Sequence, residues 1–157
     1  MVLRSDHDGL ESLPLKLMIV AAVASLSIVP ASEALDNMRI KDLLNRAELQ
    51  LDSLISTAKL LATGGPGGAR TVQLDFTSDC RLAFERIVIG DGKGGPNMSS
   101  IVLSFTNGAV MVKTCLDPSV WMRDGDGHEL VIESACSEVR LSAQVDGSAM
   151  FILAEAV

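Results

Sequence analysis

Residues 13–61 read LPLKLMIVAAVASLSIVPASEALDNMRIKDLLNRAELQLDSLISTAKLL, and they fall into two halves with different patterns. Up to Val29 the stretch is almost wholly apolar or small, with Lys16 its only charge and Pro14 near its start. At about 1.5 Å per helical residue, this segment barely crosses a hydrocarbon layer of ~30 Å. From Ile40 the pattern becomes strict: Ile40, Leu44, Ala47, Leu51, Leu54, Ala58 and Leu61 recur in steps of four and three. That spacing predicts one helical stripe, with Asp42, Arg46, Glu48, Gln50 and Asp52 mostly on other faces. Pro30 sits between the halves, so the helix either kinks there or breaks and restarts on the cap that Ser32 offers. A membrane-grade rod continued by an amphipathic rod is a device for holding something else in place.

The rod ends at Thr63-Gly64-Gly65-Pro66-Gly67-Gly68, where four glycines and a proline in six residues stop any helix. Residues 64–70 therefore read as a linker, and the alternation beyond them is that of strands. In residues 71–76, Val72, Leu74 and Phe76 alternate with Thr71, Gln73 and Asp75, the mark of a half-buried strand. Residues 82–89 read as a second, more fully buried strand, followed by the glycine-rich loop 90–99. Thr106-Asn107-Gly108 separates apolar runs at 101–105 and 109–113, and Asn-Gly there predicts a hairpin with a type I′ turn. Residues 129–132 form a further strand. A last hairpin turns at Asp146-Gly147 between 139–145 and 149–153. The fold class expected is α+β: a long N-terminal helix over 10–63, then an antiparallel β-domain over 71–157 with about seven strands.

A chain of 157 residues suits one domain and an anchor. Its formal net charge of −7 disfavours a polyanionic partner, so no nucleic acid is expected. Tyr is absent and aromatic residues make up 3%, which leaves little for a stacking surface. Hydrophobic residues reach 48%, and the first 30 positions supply much of that excess.

Candidate chemical sites are few. Asp124-Gly125-Asp126-Gly127-His128-Glu129 offers three carboxylates in six residues, a hint of calcium, but it lacks the distal bidentate Glu of an EF-hand loop. An ordinary Asp-Gly turn accounts for it better, and no metal or other cofactor is expected. His128 has only the leader's His7 as a fellow histidine, so no His-based triad can be assembled and an enzyme is not expected. The glycines at 90–95 have no Gly-Lys-Ser/Thr after them to make a phosphate loop. Trp121 reads as a core plug rather than a sugar platform. Asn97-Met98-Ser99 is an N-glycosylation sequon on the glycine-rich loop, with its acceptor expected at the surface. Cys115 and Cys136 end strand regions adjacent in sequence, so a bridge between them is expected, leaving Cys80 free. Sequon and bridge together tilt the β-domain to the extracytoplasmic side.

The N-terminus reads MVLRSDHDG, polar and ending in Gly9, before LESLPLKLMIVAAVASLSIVP begins. Two processing schemes fit. In one, the leader 1–9 is cut after Gly9 and the apolar segment stays on the mature chain. In the other, 17–29 is the apolar region of a secretory signal cut after Ala34. The first is preferred, because the second needs a 16-residue charged region containing Asp6, Asp8 and Glu11 and leaves the downstream helix without its anchor.

Gly9, Leu10, Glu11 and the run LPLKLMIVAAVASLSIVP resemble the start of archaeal type IV pilin-like proteins with a class III signal peptide. The resemblance covers roughly the first 60 residues. It implies cutting by a prepilin peptidase, residence in the membrane and then assembly at the cell surface with copies of itself or other pilin-like subunits. Glu11 stands second after the expected cut, where the family typically has its Glu fifth, and the leader has one Arg rather than a basic pair. Charge does not set the orientation, since Arg4 precedes the segment and Lys16 stands near its start, while Arg39, Lys41 and Arg46 follow it. Two functions follow as expectations. One is a structural subunit of a surface filament or pseudopilus. The other is a non-polymerising, membrane-anchored or secreted β-domain that binds a cell-surface component or protein partner.

Overall fold

The computed structural model describes residues 8–92, 94–115, 121–147 and 149–157, with only the backbone of residues 8–13, 27 and 29. A single helix, α1 (Asp8–Gly64), runs without interruption through Pro14 and Pro30. Of the two readings of Pro30, continuity holds. The chain divides into two compact units, Met1–Met38 and Arg39–Val157. The division falls inside α1 rather than at the glycine linker.

In the second unit α1 is part of the core. Leu43, Ala47, Leu51, Leu54, Ile55, Ala58 and Leu61 are buried, with Ile40 and Leu44 partly so. The helix closes on Gly65, whose positive φ of 83° ends it without steric cost. The next residues are already tied down. Gly67 N donates to Ala143 O and Ala143 N to Gly68 O, both at 2.9 Å, so the expected linker extends a strand ladder.

Eight strands follow among the described residues: β1 (Ala69–Asp75), β2 (Phe84–Ile89), β3 (Ser100–Phe105), β4 (Val110–Thr114), β5 (Met122–Arg123), β6 (Leu130–Ile132), β7 (Cys136–Asp146) and β8 (Ala149–Ala156). They form two sheets of four, ordered β1-β7-β8-β5 and β4-β3-β2-β6. Every pairing is antiparallel except β5 with β8, which is parallel. Inward residues of both sheets join the helix stripe in one core: Leu74, Val139, Leu141, Ala143, Ile152 and Ala154 from the first, Ile87, Ile89, Ile101, Leu103, Phe105 and Ile132 from the second.

Three local expectations change. The Asn107-Gly108 hairpin forms, but among the described residues no non-glycine has positive φ, and in this turn Gly108 alone does, at 82°. A type I′ turn needs two such residues, so the loop is longer and is closed by Phe105 N to Ala109 O at 2.9 Å. β2 begins at Phe84 rather than Leu82, its register shifts between Phe84 and Arg86, and only Ile87 and Ile89 are buried, so it is half-buried. The strand β5, too short to have a periodic signature, crosses beneath the end of β2. There a Cβ on Gly90 would sit 2.0 Å from Met122 O, and Asp91 N donates to that same oxygen at 3.0 Å. Only glycine fits this crossing.

Candidate functional site

The feature that sets this chain apart is the first half of α1. Over Pro14–Gly64 it contains an 18-residue window of mean hydropathy 1.9, none of it buried. Leu15, Leu17, Met18, Ile19, Val20, Val23, Leu26 and Ile28 are all exposed. By length and composition this helix can cross a membrane or serve as a signal sequence. Most of its backbone is satisfied within the segment, although Pro14 and Pro30 bring no N–H and leave the Leu10 and Leu26 carbonyls without their helical donors. Ser25 follows the same rule, its hydroxyl donating to Ala21 O at 2.7 Å one turn back.

Gly9, Leu10 and Glu11 lie on the first turns of α1. The earlier part of the expected leader, residues 1–7, lies outside the described residues.

The second half of α1 is fastened to the edges of both sheets by polar contacts. Gln50 Nε2 donates to Asp75 O at 2.8 Å, and Asp75 N donates to Gln50 Oε1 at 2.7 Å, so one amide side chain meets the outer edge of β1 as a strand would. On the other sheet, Lys113 Nζ of β4 lies 2.8 Å from Glu48 Oε1 and 3.0 Å from Asp52 Oδ1. Glu48 and then Asp52 raise the Lys113 pKa above its ordinary value by bonding to the charged form. Asp75 is held below the usual carboxylate value, first by the Thr77 hydroxyl and then by the Thr77 amide. Arg46, paired with Asp42 at 3.1 Å, adds to that lowering. The spacing of Gln50 and Lys113 carries no sign of these roles; each looks like an ordinary solvated residue in sequence.

The other singled-out residues are placed as follows. The expected Cys115–Cys136 bridge is not formed: Cys80, Cys115 and Cys136 are all free. The physical reason is topological. Cys115 is buried just after β4, at the edge of one sheet, while Cys136 is exposed at the start of β7 in the other. Strand regions adjacent in sequence are not adjacent in space. The excursion between them includes residues 116–120, which lie outside the described residues.

Asn97 is half-buried, a correction to the exposed acceptor expected on a loose loop. The loop is pinned, with Ser100 N donating to Asn97 O at 2.9 Å, Met122 N to Met98 O at 2.7 Å and Cys115 N to Ser99 O at 2.7 Å. The Ser99 hydroxyl of the sequon is itself buried.

Asp124 closes its own turn, its Oδ1 accepting from Asp126 N at 2.9 Å and His128 N at 2.8 Å. Among the described residues no three His, Cys, Asp or Glu side chains group to hold a metal. Trp121 is buried as a plug, its ring 5.1 Å from that of Phe151, with the Arg123 guanidinium 3.9 Å over the Phe151 ring. A cleft of about 250 Å³ lies beside the stacked rings of Phe76 and Phe84, 5.2 Å apart. Its hydroxyls are spent locally, Thr77 on Asp75 and Ser78 on Leu82 O.

Comparison of the chain with protein-family models, with curated proteins and with solved structures finds no match in any of the three.

Proposed function

We propose that this chain is a structural subunit of a surface filament or pseudopilus of the archaeal type IV kind, assembled through its N-terminal apolar helix. The observation that carries the reading is that one helix has two fates. Its first half offers an unburied apolar surface, and its second half is core to the β-domain. In such a subunit Gly9 marks the cut made by a prepilin peptidase, and Leu10 and Glu11 open the mature chain. The apolar segment first resides in the membrane, and after extraction it packs against the same segment of other subunits, displaying the β-domain at the cell surface. Each aliphatic side chain buried in that packing contributes about 1.5–3 kcal/mol, so the segment drives assembly strongly once it leaves lipid.

The test combines electron microscopy of sheared surface material with N-terminal sequencing of the mature protein. Filaments from the wild type, a mature N-terminus at Leu10 and loss of filaments on Val20→Asp are expected, since an unpaired carboxylate in an apolar core is costly. Gly9→Val should block processing by crowding the peptidase. A mature N-terminus at Leu35, or a wild type that stays in the membrane without filaments, would replace this reading with that of a secreted or anchored binding module.

A further inference from the structure

The chain has four asparagines, and only Asn107 precedes a glycine. Asn37 and Asn45 lie within α1, where the next backbone N–H belongs to the helical ladder. Asn97 is half-buried and is followed by Met98. Asn107, by contrast, stands exposed at the tip between β3 and β4. Its Oδ1 accepts from Ala109 N at 2.9 Å, so the side-chain amide is turned onto the backbone that follows it. The space around Gly108 is open, with nothing within 4 Å of the point where a Cβ would stand.

We infer that Asn107 is a site of spontaneous deamidation, timed by the opening of the β3–β4 turn. Asparagine is among the chemically labile residues, and its weak point is a neighbour whose nitrogen can reach the side-chain carbonyl. Gly108 N attacks Asn107 Cγ, a new N–C bond closes a five-membered succinimide, and the bond from Cγ to the side-chain nitrogen breaks. The proton lost by Gly108 N and the departing amide leave together as ammonia. Water then opens the ring at either carbonyl, giving aspartate or isoaspartate. Water is the only co-reactant, and nothing is oxidised or reduced.

The turn acts on this reaction in two opposite ways. The Ala109 N–H that holds Oδ1 sits where negative charge gathers as Gly108 N adds to Cγ, which favours the addition. Against it, Gly108 N donates to Phe105 O at 2.9 Å, and Phe105 N donates to Ala109 O at 2.9 Å to close the turn. A nitrogen held in that bond is not free to give up its proton or to swing toward Cγ. The reaction therefore waits for the turn to open, and hairpin tips open at low cost. The product adds one negative charge to a chain already at −7. Through isoaspartate it also adds a methylene to the main chain, next to the Ser104–Val110 pair that begins the β3–β4 ladder. No enzyme is needed, so the conversion records the age of the chain.

The test incubates the full-length chain in neutral phosphatidylcholine vesicles at mildly alkaline pH and follows each asparagine by peptide mapping with mass spectrometry. The mass difference between amide and acid should accumulate at Asn107, with isoaspartate among the products, while Asn37, Asn45 and Asn97 stay amides over the same period. Unfolding in urea should speed the Asn107 conversion about tenfold, because the turn no longer holds Gly108 N. Asn107→Gln, whose closure needs a six-membered ring, should keep its amide. Three results would each overturn the inference: no conversion at Asn107 in the folded chain, equal conversion at the other asparagines, or the same rate folded and unfolded. Conversion of Asn107→Gln at the wild-type pace would overturn the cyclic route.

Discussion

Gln50 and Asp75 meet through both polar groups of one amide. The Asp75 amide donates to Gln50 Oε1 at 2.7 Å, and Gln50 Nε2 donates back to the Asp75 carbonyl at 2.8 Å. An edge strand presents unpaired backbone groups that invite foreign strands, and here a helix side chain occupies that site. Gln50→Ala should cost about 1 kcal/mol in urea denaturation, the net worth of hydrogen bonds replaced by water. Faster exchange of the Asp75 amide should accompany it, and an unchanged exchange rate would show the pairing to be absent in solution.

The ion pairs of Lys113 set an upper pH limit on part of the stability. Because the folded chain raises this pKa above the ordinary 10.5, the contribution is fully present below that value. It is lost as pH rises through the folded value. Asp75 behaves oppositely. Its pKa is lowered from 3.8, so its contribution is present above that value and is lost as pH falls through the folded one. Denaturation midpoints across pH should therefore show a smaller alkaline loss for Lys113→Met than for the wild type, and a smaller acid loss for Thr77→Val. Added salt should weaken the Lys113 contribution, since its partners are solvent-exposed.

The glycine-rich segment after α1 is the obvious place to truncate, and it is the wrong one. A fragment starting at Ala69 loses Leu43, Leu51, Leu54, Ile55 and Leu61, all buried in the core. Their burial is worth on the order of 10 kcal/mol, comparable to the whole stability of a typical domain. Arg39–Val157 should unfold cooperatively by circular dichroism, while residues 69–157 alone should show no cooperative transition.

Thiol reactivity separates the three cysteines. Full denaturation should release three titratable thiols. In the native chain Cys136, exposed, should react with Ellman's reagent first. Cys80 should be slower, because it is half-buried with its Sγ 3.3 Å from Leu82 O. Cys115 should react only on unfolding. A single thiol after denaturation would mean that a bridge forms in the cell.

What the sequence revealed was whatever has a period. Steps of four and three found α1, alternation found β1 and β7, and the apolar runs around Asn107-Gly108 found β3 and β4, each within a few residues. The stripe missed Leu43 and Ile55, since a packed helix face is wider than one ridge and takes whatever side chains the sheets reach. Sheet membership was not legible, because alternation says that a strand has an inner face and not which strands share it. The misplaced Cys115–Cys136 pair came from that gap. So did the inner face of β4: Val110 and Val112 alternate with Met111 and Lys113, and either set could have been the core set. Met111 turned inward, and the carboxylates of Glu48 and Asp52 meet Lys113.

Because the apolar segment and the core stripe belong to one helix, α1 also decides how mechanical load enters the β-domain. Tension on the apolar end passes through the backbone into the buried stripe, which runs from Leu43 to Leu61. The Gln50 amide and the Lys113 ion pairs tie the same half of the helix to β1 and β4. Contacts spread along the stripe share the force among them, whereas a tether joined at β1 would load the strand ladder from its end. A chain built this way yields when the buried half of the helix leaves its core.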